Sequence, residues 1–171
     1  MKLLIAVAPD RFRDEELSEP MKIFQAKGVE TIIGSTQIGE CVGMMGDRVE
    51  ATVTFEDVSA AEFDGIVIIG GLGAQDFFWS SKELIALVSD FYENGKVVAA
   101  ICLSPAVLAL AGILKGKKAT VFVSPASTYA MKEGGASLQN DPVVVDGKII
   151  TANGPTAAKA FGEAIVSTLN A

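Results

Sequence analysis

The stretch Val97-Val98-Ala99-Ala100-Ile101-Cys102-Leu103-Ser104-Pro105 decides the fold. It opens a run without charge that extends to Leu114, which at about 18 residues reaches the lower limit for a membrane-spanning helix. Ser104 and Pro105 interrupt that run in its middle. Val97 to Ile101 is rich in β-branched residues and reads as a buried strand, whereas Ala106 to Leu114 is rich in Ala and Leu and reads as a buried helix. A strand that turns sharply into a helix with Cys102 at the junction is the geometry of a nucleophile elbow.

The alternation continues on both sides. Upstream, Lys2 to Ala8 reads as a strand and Glu15 to Lys27 as a helix stopped by Gly28. Val29 to Gly34 is a second strand, and the Gly-rich segment Gln37 to Thr54 is expected as an antiparallel excursion or hairpin. Gly65 to Ile69 is a strand closed by Gly70-Gly71-Leu72-Gly73, and Lys82 to Tyr92 is an amphipathic helix ended by Gly95. Downstream, the helix from Pro105 is expected to end near Gly116, with a strand at Ala119 to Val123. A hairpin follows around Asp146-Gly147, then a last helix from about Pro155 to Leu169. Apolar strands alternating with amphipathic helices imply a mostly parallel sheet covered on both faces.

The 171 residues match one domain, 1–171, at the usual ~150 residues per domain. Half are hydrophobic and 20% charged, a packed composition. A formal charge of -7 repels phosphate backbones and anionic membranes, so neither nucleic acid nor membrane is an expected partner. The chain has no histidine, which excludes every Cys-His and Ser-His mechanism. Its two cysteines, Cys41 and Cys102, lie too far apart for a metal-ligand spacing and too sparsely for a secreted disulfide scaffold, so no metal or cofactor is expected and the compartment reads as a reducing cytoplasm. The apolar start, Leu3 to Ala8, is too short for a signal peptide.

In such a sheet the chemistry collects at the carboxyl ends of the strands. There Cys102 meets free backbone N–H groups and a helix N-terminus, which favour the thiolate and are expected to lower its pKa from ~8.5; position alone fits a buried small hydrophobe equally well. The Gly70-to-Gly73 turn lets backbone N–H groups approach a ligand, as in an oxyanion hole; it lacks the Gly-Lys-Ser/Thr of a phosphate loop and the last glycine of a dinucleotide fingerprint. Of the acidic cluster Asp14-Glu15-Glu16, Glu16 is best placed to point over the sheet edge toward Cys102, with Pro20 one turn on keeping the same side. Cys41 is expected to be structural or at an interface, and Trp79 to pack in the core in preference to covering surface near the glycine turn or meeting a dimer mate.

Taken together, Glu16 with Pro20, Gly70-Gly71-Leu72-Gly73-Ala74-Gln75, Ala99-Ala100-Ile101-Cys102 with Pro105, and Asp146-Gly147 followed by Thr151-Ala152-Asn153-Gly154-Pro155 resemble the DJ-one/PfpI superfamily over nearly the whole chain. The resemblance implies a three-layer α/β/α flavodoxin-like sandwich of the class I glutamine amidotransferase-like type, and a homodimer. It also implies Cys102 as the elbow nucleophile, Glu16 as the carboxyl group bonded to its sulfur, and Gly71 and Leu103 N–H groups as oxyanion donors, with Gly70 and Ser104 beside them. PfpI-type peptidases carry His after the nucleophile, where this chain has Leu103; other members carry His or Tyr in the loop after the next strand, where this chain has Ser124-Pro125. A peptidase is therefore disfavoured. Two functions are expected to compete. One is an enzyme in which Cys102 adds to a small electrophilic carbonyl while Glu16 moves the proton. The other is a redox sensor or chaperone-like stress protein whose Cys102 is oxidised by peroxide. A polar-walled cavity over Cys102 would favour the first, a narrow slot the second.

Overall fold

The computed structural model describes residues 1–171. From the N-terminus the chain forms β1 (Lys2–Ala6), β2 (Asp10–Phe12), α1 (Asp14–Ala26), β3 (Glu30–Ser35), β4 (Gly39–Gly43), β5 (Arg48–Ala51) and β6 (Val53–Thr54). It continues through β7 (Gly65–Ile68), α2 (Lys82–Glu93), β8 (Val97–Ile101), α3 (Pro105–Leu110), β9 (Lys118–Ala119) and α4 (Pro125–Glu133). The last elements are β10 (Ser137–Leu138), β11 (Val143–Asp146), β12 (Ile149–Ala152) and α5 (Ala158–Leu169).

Seven strands make the main sheet in the order β11-β12-β8-β7-β1-β3-β6. All neighbours run parallel except β11, which pairs antiparallel with β12. Every residue of β7 and β8 is buried, as a parallel strand needs when helices cover both faces. Helices α1 and α5 pack together, and α3 packs against both α2 and α4, giving a three-layer α/β/α sandwich of mostly parallel, flavodoxin-like type. The chain leaves β1 toward β3 on one side and returns through β7 on the other. The strand order thus reverses between β1 and β7, and crevices form at such a point outside the carboxyl ends.

Several segments depart from the sequence expectation. The excursion Gln37 to Thr54 contains the antiparallel pair β4–β5, but β2 adds a parallel third strand to it, and Val53–Thr54 returns to the main sheet as its edge strand. The strand expected at Ala119 to Val123 shrinks to β9, paired with β10 in a separate ribbon. Its backbone donors are used elsewhere: Thr120 N–H donates to Thr151 Oγ1 (2.9 Å) and Phe122 N–H to the Cys102 carbonyl (2.8 Å). The helix from Pro105 stops at Leu110 rather than near Gly116. Helix α4 occupies a stretch for which the sequence reading gives no element beyond a loop at Ser124-Pro125, although its start signal is present: Ser124 and Ser127 form reciprocal side-chain-to-backbone bonds and Pro125 fills the first position. No helix is long and apolar enough to cross a membrane.

Candidate active site

Three neighbouring strands, β1, β7 and β8, deliver the candidate residues to one end of the sheet. Glu16 comes from the first turn of α1, Gly70 and Gly71 follow β7, and Cys102 follows β8. Cys102 has φ +66, a conformation that is strained for a residue with a side chain and is held by its surroundings. Its N–H donates to the Ala152 carbonyl (2.9 Å) and its carbonyl accepts from Phe122 N–H (2.8 Å). Ser104 N–H closes the turn on the Ile101 carbonyl (3.1 Å).

Glu16 is fully buried. Its Oε1 accepts the Gly70 N–H at 3.1 Å, while Oε2 has no hydrogen-bond partner, and the neighbouring Cys102 thiol favours the charged form of the carboxyl. Pro20 cannot donate to the Glu16 carbonyl one turn back, and instead its own atoms meet Gly162 of α5, fixing the depth at which α1 seats. Gly70 allows the close approach of Glu16 and Cys102. A Cβ there would lie 2.5 Å from the Cys102 Cβ and 2.6 Å from Glu16 Oε1.

Burial dominates the electrostatics. The Glu16 carboxyl is pushed up to about 8, because removal from water penalises its charged form more than hydrogen bonds from Cys102 and Gly70 and the nearby Arg13 favour it. The Cys102 thiol is pushed up to about 12, first by burial and then by the adjacent carboxylate, against hydrogen bonds from the Gly71 and Leu103 N–H groups. This overturns the expectation of a lowered thiol pKa. Helix α3 is only six residues long, and Cys102 is 7% exposed, so desolvation prevails at the sulfur. Glu16 therefore ionises before Cys102, and at neutral pH the pair keeps both protons.

Other sequence-predicted residues take separate places. Gly71 and Leu103 do direct their N–H groups at the sulfur. Gly70 gives its N–H to Glu16, so it is not a free donor for a bound oxyanion. Ser104 is fully buried with its hydroxyl donating to the Ile69 carbonyl (2.7 Å), which ties the elbow to the end of β7 rather than facing a ligand. Asp14 accepts the Met45 and Asp47 N–H groups (both 2.8 Å), anchoring the β4–β5 turn, and Glu15 pairs with Arg13. Cys41 lies in the core with its thiol pKa raised by burial. Ser124 caps α4; the loop residue that touches the elbow is Phe122. Trp79 is only half-buried and donates its indole N–H to the Leu103 carbonyl (3.0 Å), a contact that nothing in the sequence marks. The five principal surface cavities, of about 90 to 450 Å³, are lined by other residues than Cys102.

A flavodoxin-like sandwich with a cysteine on an elbow and a buried carboxyl beside it defines a class of cysteine proteins. The family model described as the DJ-1/PfpI family matches residues 1–168, and the chain belongs to that family. It is 47% identical to an uncharacterized protein of Methanocaldococcus jannaschii over 98% of this chain and 82% of that one. It is also 36% identical to a deglycase of Thermococcus kodakarensis, over 91% of each chain. Among solved structures, a ThiJ/PfpI domain protein from Brachyspira murdochii superposes with a TM-score of 0.94 at 36% identity, over 99% of this chain and 96% of that chain.

The raised carboxyl has a consequence for stability. Unfolded, Glu16 loses its proton near 4.5; folded, near 8. Between these values unfolding releases a proton, so its contribution is complete below about 4.5 and is lost as the pH rises through about 8, at up to about 1.4 kcal/mol per unit. Urea unfolding between about pH 5 and pH 8 is expected to show a steeper fall in stability for the wild type than for Glu16→Gln. Equal slopes would mean that Glu16 is ionised in the folded protein.

Proposed function

We propose that the chain is a cysteine-dependent enzyme acting on small carbonyl electrophiles and on their adducts with amines, a reaction of the deglycase type. The observation that carries this reading is the buried Glu16 carboxyl beside Cys102, which gives up its proton near 8 and so before the thiol. In a chain without histidine it is the titratable group bonded to the sulfur, and thus the one able to take the thiol proton and return it.

The steps follow from that pair. Sulfur of Cys102 bonds to the carbonyl carbon, the C=O π electrons move to oxygen, and the thiol proton passes through Glu16 to that oxygen, giving a hemithioacetal. With an amine adduct the same carbon–sulfur bond forms as the carbon–nitrogen bond breaks, and the amine leaves with the proton from Glu16. The Gly71 and Leu103 N–H groups, which favour negative charge on the sulfur, would share the developing oxyanion. When the substrate is an α-oxoaldehyde, the Glu16 carboxylate takes the proton from the sulfur-bearing carbon, the hydroxyl proton passes to the neighbouring carbonyl oxygen to give an enediolate, and Glu16 returns its proton to the neighbouring carbon as the first C–O bond becomes the thioester carbonyl. The first carbon is oxidised and the second reduced, and water then hydrolyses the thioester to a 2-hydroxy acid and the free thiol.

Methylglyoxal is the test substrate, with lactate as the measured product. Turnover is expected in the wild type, absent in Cys102→Ser, and lowered about 10²- to 10⁴-fold in Glu16→Gln. Because the base is the ionised carboxyl, kcat/KM is expected to rise with pH through about 8 in the wild type and to lose that inflection in Glu16→Gln. Lactate formation that survives Cys102→Ser would overturn the proposal.

A second reading is favoured by one observation, the 7% exposure of Cys102. A sulfur that shielded admits a peroxide more readily than a bulky substrate. One peroxide would convert the thiol to a sulfenic acid with release of water, and a second would give a sulfinic acid to which protonated Glu16 donates. Mass spectrometry after a peroxide titration is expected to find Cys102 oxidised ahead of Cys41, with less sulfinate in Glu16→Leu. Oxidation of Cys41 first would sink this second reading.

A further inference from the structure

The elbow from Ile101 to Ser104 has its backbone polar groups held one by one, and a single side chain outside it completes the set. Cys102 N–H goes to Ala152, the Cys102 carbonyl receives Phe122 N–H, Leu103 N–H goes to the sulfur, and Ser104 N–H goes to Ile101. The Leu103 carbonyl receives the indole N–H of Trp79 at 3.0 Å. Trp79 reaches it from an unusual turn. Residues Ala74–Phe78 are π-helical, and Trp79 N–H bonds to the Ala74 carbonyl five residues back. Such turns are rare and concentrate at functional sites. The turn carries one residue more than an α-helical turn, and one residue rotates the chain that follows by about 100°.

We propose that Trp79 is a positioning residue for Cys102: its indole N–H, presented by the π-helical turn, locks the Leu103–Ser104 peptide so that the preceding Leu103 N–H stays aimed at the sulfur. The proposal rests on Cys102 being the reactive group. Neither Trp79 nor its ring needs to touch a substrate. The elbow is strained at Cys102, φ +66, and an unbonded Leu103 carbonyl would let it relax. Relaxation turns the Leu103 N–H away from the sulfur and removes one of the two backbone donors that oppose the burial effect on the thiol.

The test is the pH dependence of Cys102 alkylation by iodoacetamide in the wild type, Trp79→Phe and Cys102→Ser, with Cys41 labelling subtracted through the last. Trp79→Phe keeps an aromatic ring and removes the donor. Its alkylation profile is expected to move to higher pH by about half a unit or more, with kcat for methylglyoxal falling several-fold and KM within about twofold. A folded Trp79→Phe with an unmoved profile would overturn the proposal, whereas a moved profile without any methylglyoxal turnover would leave it standing and count against the carbonyl reaction alone. A second measurement needs no variant of Trp79. The chain has one tryptophan, so its indole N–H is a single assignable NMR resonance. Slow exchange of that proton, with a chemical shift that changes when Cys102 is alkylated, is expected; rapid exchange and no change on alkylation would refute the lock.

Discussion

A carboxylic acid buried beside a thiol is the constraint around which this end of the sheet is built. Glu16 is out of water with a single backbone donor on one oxygen and no hydrogen-bond partner on the other, an arrangement that favours the protonated carboxyl. Everything around it serves that proximity. Gly70 has no side chain because a Cβ would collide with both partners, and α1 is seated at Pro20 against Gly162 so that its first turn reaches over β7. Ser104 ties the cysteine turn to the end of β7 from below.

Two effects of opposite sign act on the sulfur, and their sizes decide the chemistry. Backbone N–H groups from Gly71 and Leu103 favour the thiolate; burial and the neighbouring carboxylate oppose it and prevail, pushing the thiol up to about 12. The site is therefore not a preformed thiolate. It is a two-proton store whose first proton leaves near 8, from the carboxyl. Such a pair needs no imidazole, which accords with a chain that has no histidine.

Much of this was legible in the sequence because the strongest signals are local. Val97–Ile101 was bounded as a strand by composition on one side and by Ser104-Pro105 on the other, and the residues after each strand were the ones the fold brings together. Glu16 was separable from Asp14 and Glu15 by helical period alone. The failures were of another kind. Residues 120 to 122 have strand composition, yet their N–H groups bond Thr151 Oγ1 and the Cys102 carbonyl, and no periodicity reports such partners. Ser124-Pro125 is a helix start as well as a loop signal, and the positions of Gly70 and Ser104 beside the oxyanion donors do not reveal that their polar groups are used internally. The thiol pKa was misjudged in direction, since desolvation depends on depth in the fold and leaves no trace in sequence.

The protonation state of Glu16 is the centre of the account and can be observed directly. A 13C NMR titration of the side-chain carboxyls, with Glu16→Gln to assign the signal, reads its ionisation in the folded protein. A midpoint near 8 is the predicted result, and it should change when Cys102 is replaced by Ser. A midpoint close to 4.5, the ordinary value, would contradict the account, because the carboxyl would then be charged throughout the neutral range and burial would not govern its proton.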